Sequence, residues 1–261
     1  MKPDDTIARQ KKVKRLLSLL LFVAATIFSI WFIEFDFMEF LSGIPLFLNF
    51  LFVDFMPPNV NDLAKYVRPV LDTLAFGVVA TVISSVIALV IAFLMAHNTA
   101  PHPAVRVALR SVVSFVRNVP FLVWASILVV LFGVGTMPGI FALILLGIGF
   151  LARLYAESIE EIDKHAVEAV EATGATYLPK LKQAIIPQFM PGYISWTLFM
   201  FEITIRASAI LGLVGAGGIG SQIKLTMDLF QYSKTATVVT IMILMILGVE
   251  YVTQRIRERL L

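Results

Sequence analysis

Two ionisable side chains, Glu202 and Arg206, stand inside an otherwise apolar run covering residues 193–213. Their spacing, with the acid on the N-terminal side, is the favourable orientation for an ion pair along one helix. An unpaired charge in a bilayer core costs from ~3 to more than ~10 kcal/mol, depending on how far water and headgroups follow it, so the two are expected to pair. A pair that only neutralises itself satisfies that demand. A pair facing a cavity does more: the Arg206 guanidinium can receive an anion through charge-assisted hydrogen bonds, with Glu202 holding it while the site is empty. Both readings are open on the residues alone. Ser195 falls on the same helical face as the pair, and Thr204 and Ser208 are nearby hydroxyls.

A second constellation is polar and lies between two apolar runs. It reads Glu168-Ala169-Val170-Glu171-Ala172-Thr173-Gly174, followed by Ala184-Ile185-Ile186-Pro187. Gly174 can end a helix and Pro179 suits the first turn of another, which predicts a helix-turn-helix lying across the membrane surface, fit to pass force from a soluble partner into the spans. The acidic run Glu157, Glu160, Glu161 and Asp163 before it reads as a solvated helix face. The third constellation, Gly215-Ala216-Gly217-Gly218-Ile219-Gly220, matches the letters of a dinucleotide-binding turn. It follows a membrane helix rather than a β-strand, and no βαβ unit surrounds it, so that chemistry is excluded. Gly215, Gly217, Gly218 and Gly220 instead predict a tight turn, alone or also serving as a gate at the outer mouth. With no cysteine and only His97, His102 and His165, no disulfide, thiolate site or metal centre is expected.

The elements that must position these groups are membrane helices. Hydrophobic residues make up 59% of the chain and charged residues 15%, with a mean hydropathy of +0.88, beyond what a water-soluble domain of this size buries. A span needs roughly 20 apolar residues. Runs at 16–33, 73–96, 107–131, 138–157, 193–213 and 235–251 predict six, the third and fourth separated by a turn at Gly133-Val134-Gly135-Thr136-Met137-Pro138. The first is read as a retained anchor rather than a cleaved signal. Residues 35–66, interrupted by Gly43, Pro45 and Asn49, predict an interfacial helix rather than a span. Most of the 21 lysines and arginines fall in alternate loops, which predicts cytoplasmic termini at both ends; basic residues at span ends explain the charge of +3 without nucleic acid. The expected organisation is a cytoplasmic N-terminus and anchor (1–34), an extracytoplasmic or interfacial segment (35–70), and a transmembrane domain (71–261) that includes a coupling loop at 158–187. Within the second run Ala80, Ser84, Ala88, Ala92 and Ala96 form a stripe of small side chains suited to close helix packing.

The loop spacing resembles the coupling loop of ATP-binding-cassette importer permeases, in which Glu-Ala-Ala, three residues, Gly, nine residues, Ile, one residue and Leu-Pro recur. Glu168, Ala169, Gly174 and Pro187 match, while Val170, Ala184 and Ile186 replace the usual Ala, Ile and Leu. Asp54-Phe55-Met56-Pro57-Pro58, Ala172-Thr173-Gly174-Ala175, Pro187-Gln188, Met190-Pro191, Phe201-Glu202, Arg206-Ala207-Ser208 and the glycine run are similar to the phosphonate-transport permeases within that group. Arg117-Asn118-Val119-Pro120-Phe121 is also similar to the wider methionine- and betaine-type permeases, as is the glycine run. The resemblance implies an all-α integral membrane protein of the type I importer permease fold in the bacterial inner membrane. Two copies would form the path for a phosphonate or phosphite, with two ATPase subunits docked on Glu168, Ala169, Ala172, Thr173, Gly174 and Pro187 and an extracytoplasmic binding protein on the other side. It implies alternating access, no chemistry and no bound cofactor in this chain; ATP and Mg would be used by the ATPase partner. An importer for methionine, betaine or another small solute is the alternative, and an intramembrane enzyme or a channel lies further off.

Overall fold

The computed structural model describes residues 3–260, and among them every regular element is helical. The chain divides into two compact units, Met1–Asp54 and Phe55–Leu261. The first holds α1 (Pro3–Phe32) and α2 (Phe37–Asn49), the latter running into a π-helical turn at Phe50–Phe55. Asp36 caps α2, its Oδ1 accepting from the backbone N–H groups of Met38 and Glu39, which answers two donors left over at a helix start. From Leu16 to Phe32 the leucines and phenylalanines of α1 are exposed, as on a helix whose solvent is lipid.

The second unit is built from α3 (Ala64–Met95), α4 (Pro103–Asn118), α5 (Phe121–Phe132), α6 (Thr136–Glu160), α7 (Lys164–Ala172), α8 (Tyr177–Lys180), α9 (Ile186–Leu213), α10 (Gly218–Asp228) and α11 (Tyr232–Leu260). The small-residue stripe is a packing seam, as expected: Ala80, Ser84, Ala88, Ala92 and Ala96 are wholly buried. They meet α6, where Gly147 lies so close to Ser84 that a methyl group would overlap it. A buried hydroxyl network ties three helices together. Ser85 of α3 donates to Tyr193 of α9 (2.9 Å) and lies 3.0 Å from the Tyr155 hydroxyl of α6, which is 2.6 Å from Thr197 of α9. In lipid such bonds and close backbone contacts hold helices together, since apolar side chains gain nothing by leaving an apolar solvent.

Six helical segments are long and apolar enough to cross a bilayer: Lys11–Phe32, Phe37–Phe55, Ala64–Met95, Thr136–Glu160, Leu178–Gly212 and Tyr232–Arg259. The number agrees with the sequence expectation but the membership does not. Phe37–Phe55 qualifies, although its glycine, proline and asparagine argued for an interfacial helix. The expected third span, 107–131, is two helices, α4 and α5, bent by 88°. Pro120 is the cause. It supplies no N–H and forces Val119 into an extended conformation (φ −80°, ψ 120°), so α4 stops at Asn118 and α5 restarts at Phe121. Both helices pack along α6. At the start of the pair the Asn98 side-chain amide donates to the Ile159 carbonyl at the end of α6, and just past the end of the pair Val134 abuts Gly215 beyond α9.

Candidate functional site

Glu202 lies midway along α9 and is buried at 5% exposure, whereas Arg206, one turn on, is about half exposed. The two carboxylate oxygens have different partners. Oε2 faces Arg206 at 3.6 Å, and Oε1 accepts from Thr253 and from the Arg257 guanidinium, each at 2.5 Å. The expected intrahelical pair is thus present but loose, and the tight partners come from α11. Thr253 and Arg257 are one turn apart on that helix, so α11 presents a hydroxyl and a cation to the same carboxylate oxygen. The Nε of Arg257 is buried with no hydrogen-bond partner among the described residues. The sequence signal for Arg257 was masked by its place near the end of a run, where a basic residue reads as a topology marker.

With Glu202 compensated from α11, the exposed face of Arg206 is left available. That division suits a site in which the acid is structural and the base receives an anion. Ser208 is buried and donates to the Ile205 carbonyl at 2.7 Å. Ser195 is half-buried on the Glu202 face.

The loop after α6 is a compact device. Asp163 caps α7 by accepting from the His165 N–H at 2.9 Å, and its own N–H donates to Gln188 Oε1 on α9 at 3.1 Å. Gln188 also donates to the Ala184 carbonyl, so one amide side chain bridges both roots of the loop. α7 ends at Ala172 and is capped by Thr173, after which Gly174 adopts φ +77°, a conformation costly for residues bearing a Cβ. The chain returns through α8 and a π-helical turn at Leu181–Ile185, and Lys180 clasps Glu171 at 2.6 Å. Ala184, Ile185 and Phe189 are buried, anchoring the return limb, while Glu168, Ala169, Ala172, Thr173, Gly174 and Pro187 are exposed. Each of the predicted docking residues is thus accessible, on or next to a loop tied at both ends.

The glycine run reverses the chain between α9 and α10. Gly215, Gly217 and Gly218 have φ of +92°, +89° and +69°. Gly212 and Gly220 sit backbone to backbone, and a methyl on Gly220 would overlap the Ala209 carbonyl. Thr73 on α3 closes the turn: its hydroxyl accepts from the Ile219 N–H at 2.8 Å and donates to Pro69. These contacts account for every glycine of the run as turn or packing. Gly217 alone leaves ordinary van der Waals space, toward Phe76.

The profile of a family described as the inner membrane component of binding-protein-dependent transport systems matches residues 88–260. A phosphite transport system permease protein of Stutzerimonas stutzeri, PtxC, is 34% identical over 206 residues, covering 79% of this chain and 74% of the relative. A phosphate-import permease protein of Mycolicibacterium smegmatis, PhnE, is 34% identical over 237 residues, 91% of this chain but only 44% of that longer protein. Among solved structures, an inward-facing methionine transporter, MetNI, superposes with a TM-score of 0.69 at 21% identity, covering 78% of this chain and 99% of that one, and so shares the fold. The chain therefore belongs to the inner membrane components of binding-protein-dependent transport systems, the permease subunits of ATP-binding-cassette importers.

Proposed function

We propose that two copies of this chain form the path for a phosphonate- or phosphite-type oxyanion, delivered by an extracytoplasmic binding protein and driven by two separate ATPase subunits seated on α7. The observation that carries this is the loop: Glu168, Ala169, Ala172 and Thr173 are exposed on and just after a helix whose cap residue Asp163 is hydrogen-bonded to Gln188 of α9. A push on α7 is transmitted to the helix that bears Glu202 and Arg206, which is the requirement for alternating access. The names of the relatives, phosphite and phosphate permeases, support the substrate class. The half-exposed Arg206 supports an anion. The chain binds no cofactor in this reading, and ATP and Mg act in the partner. In this reading both termini lie on the cytoplasmic side with the loop, which the clustering of basic residues supports.

The test is reconstitution with the ATPase subunits and the binding protein in proteoliposomes. Gly174→Asp should leave ATP hydrolysis and lose uptake, because a side chain is forced into a left-handed conformation at the tip of the docking surface. Uptake coupled as in the wild type would end this reading of the loop. Phosphite, methylphosphonate, phosphate and methionine presented in turn assign the substrate; accumulation of methionine alone would move the chain to the other branch of the family.

A further inference from the structure

A cleft of about 210 Å³ opens between α4 and α6, away from the Glu202 network. Its floor is apolar, made by the buried side chains of Met95, Val113 and Ala156. Its rim carries three guanidinium groups, Arg110, Arg117 and Arg153, against a single lining carboxylate, Glu157. Arg153 is bridged to Glu157 at 2.6 Å, and Arg110 is bonded to Glu160 at the end of α6. Arg117 has no ion-pair partner among the described residues. Its position is set by backbone packing, since a Cβ on Gly149 would lie 3.2 Å from the Arg117 Cα. Gly149 precedes the end of α6 by eleven residues, roughly 16 Å along the helix axis. Arg117 is thus held beside α6 about three turns from the end of that helix, an exposed guanidinium on the cleft rim.

We propose that this cleft binds a phosphate-type oxyanion, with Arg117 as the principal donor and Arg153 recruited from Glu157. Guanidinium groups match tetrahedral oxyanions through paired N–H donors. The apolar floor accommodates the carbon-bearing side of such a ligand, and Glu157 competes for the same guanidinium. One chemistry has two sources here: a free phosphate-like ion, or the headgroup of an anionic phospholipid.

The test uses the full chain in nanodiscs. In phosphatidylcholine discs, binding of radiolabelled inorganic phosphate is measured directly. In discs containing phosphatidylglycerol, retained lipid is counted by native mass spectrometry. Arg117→Gln should weaken the active probe by about tenfold or more, the value of a charge-assisted hydrogen bond. Glu157→Gln should tighten it severalfold, an effect that poor folding cannot imitate. Phosphate binding identifies a free ion as the source, and lipid retention without phosphate binding identifies the headgroup. Arg206→Gln should leave either signal intact while transport fails, separating this cleft from the proposed translocation path. The proposal is overturned if neither probe binds, if Arg117→Gln binds as the wild type does, if Glu157→Gln fails to tighten binding, or if the signal disappears in Arg206→Gln.

Discussion

The division of labour around Glu202 yields a quantitative forecast. Its Oε1 accepts from Arg257 and Thr253 at 2.5 Å while Arg206 stands 3.6 Å from Oε2 and is half exposed. Removing one member of a buried ion pair costs about 3–5 kcal/mol, because the other charge is left uncompensated. A loose pair with one partner half exposed, as Arg206 is, is worth about 0–1 kcal/mol. Glu202→Gln and Arg257→Gln should therefore each destabilise by about 3 kcal/mol or more. Made together they should cost well below the sum, with a coupling of about 2 kcal/mol, in the range known for residues in direct contact. The Glu202/Arg206 cycle should show less than about 1 kcal/mol. Reversible unfolding in bicelles, over both double-mutant cycles, reads these numbers directly. Coupling that is larger to Arg206 than to Arg257 would refute the assignment of Glu202 to α11 and restore a self-contained pair on α9.

Other outcomes follow from the same geometry. Gly220→Ala should cost about 3 kcal/mol by overpacking, because its methyl meets the Ala209 carbonyl, whereas Gly248→Ala, with open space around it, should be neutral or gain up to about 1 kcal/mol; thermal melts of the purified chain compare the two. Thr73→Val keeps the shape but orphans the buried Ile219 N–H, for an expected loss of about 1–3 kcal/mol, seen as faster hydrogen exchange at the start of α10; exchange as in the wild type would show that Thr73 does not close the turn. Pro120→Ala restores an N–H at the α4/α5 break, and a spin-label distance between positions 110 and 128 should lengthen if the proline causes the bend.

The outline of the protein was legible in its residues for a simple reason: hydrocarbon is an exacting solvent. Long apolar runs have to be helices, charges have to lie at their ends, and the polar stretch from Glu168 to Gly174 had no place except a loop between spans. The small-residue stripe from Ala80 to Ala96 likewise announced a close seam, because its period is that of a helix face. The contents of the spans were harder to read. Counting apolar letters carried 107–131 through Pro120 as one helix, where a single missing N–H makes two, and reading Gly43, Pro45 and Asn49 as interruptions left Phe37–Phe55 short of a span. Pairing by nearest neighbour gave Glu202 to Arg206, but its tight partner Arg257 lies 55 residues away in the chain, and Gly149 brings Arg117 against α6 through a contact that no local pattern encodes. Periodicity and solvent preference are properties of a segment and survive in one dimension; the choice among possible partners for a charge is made only when helices settle side by side.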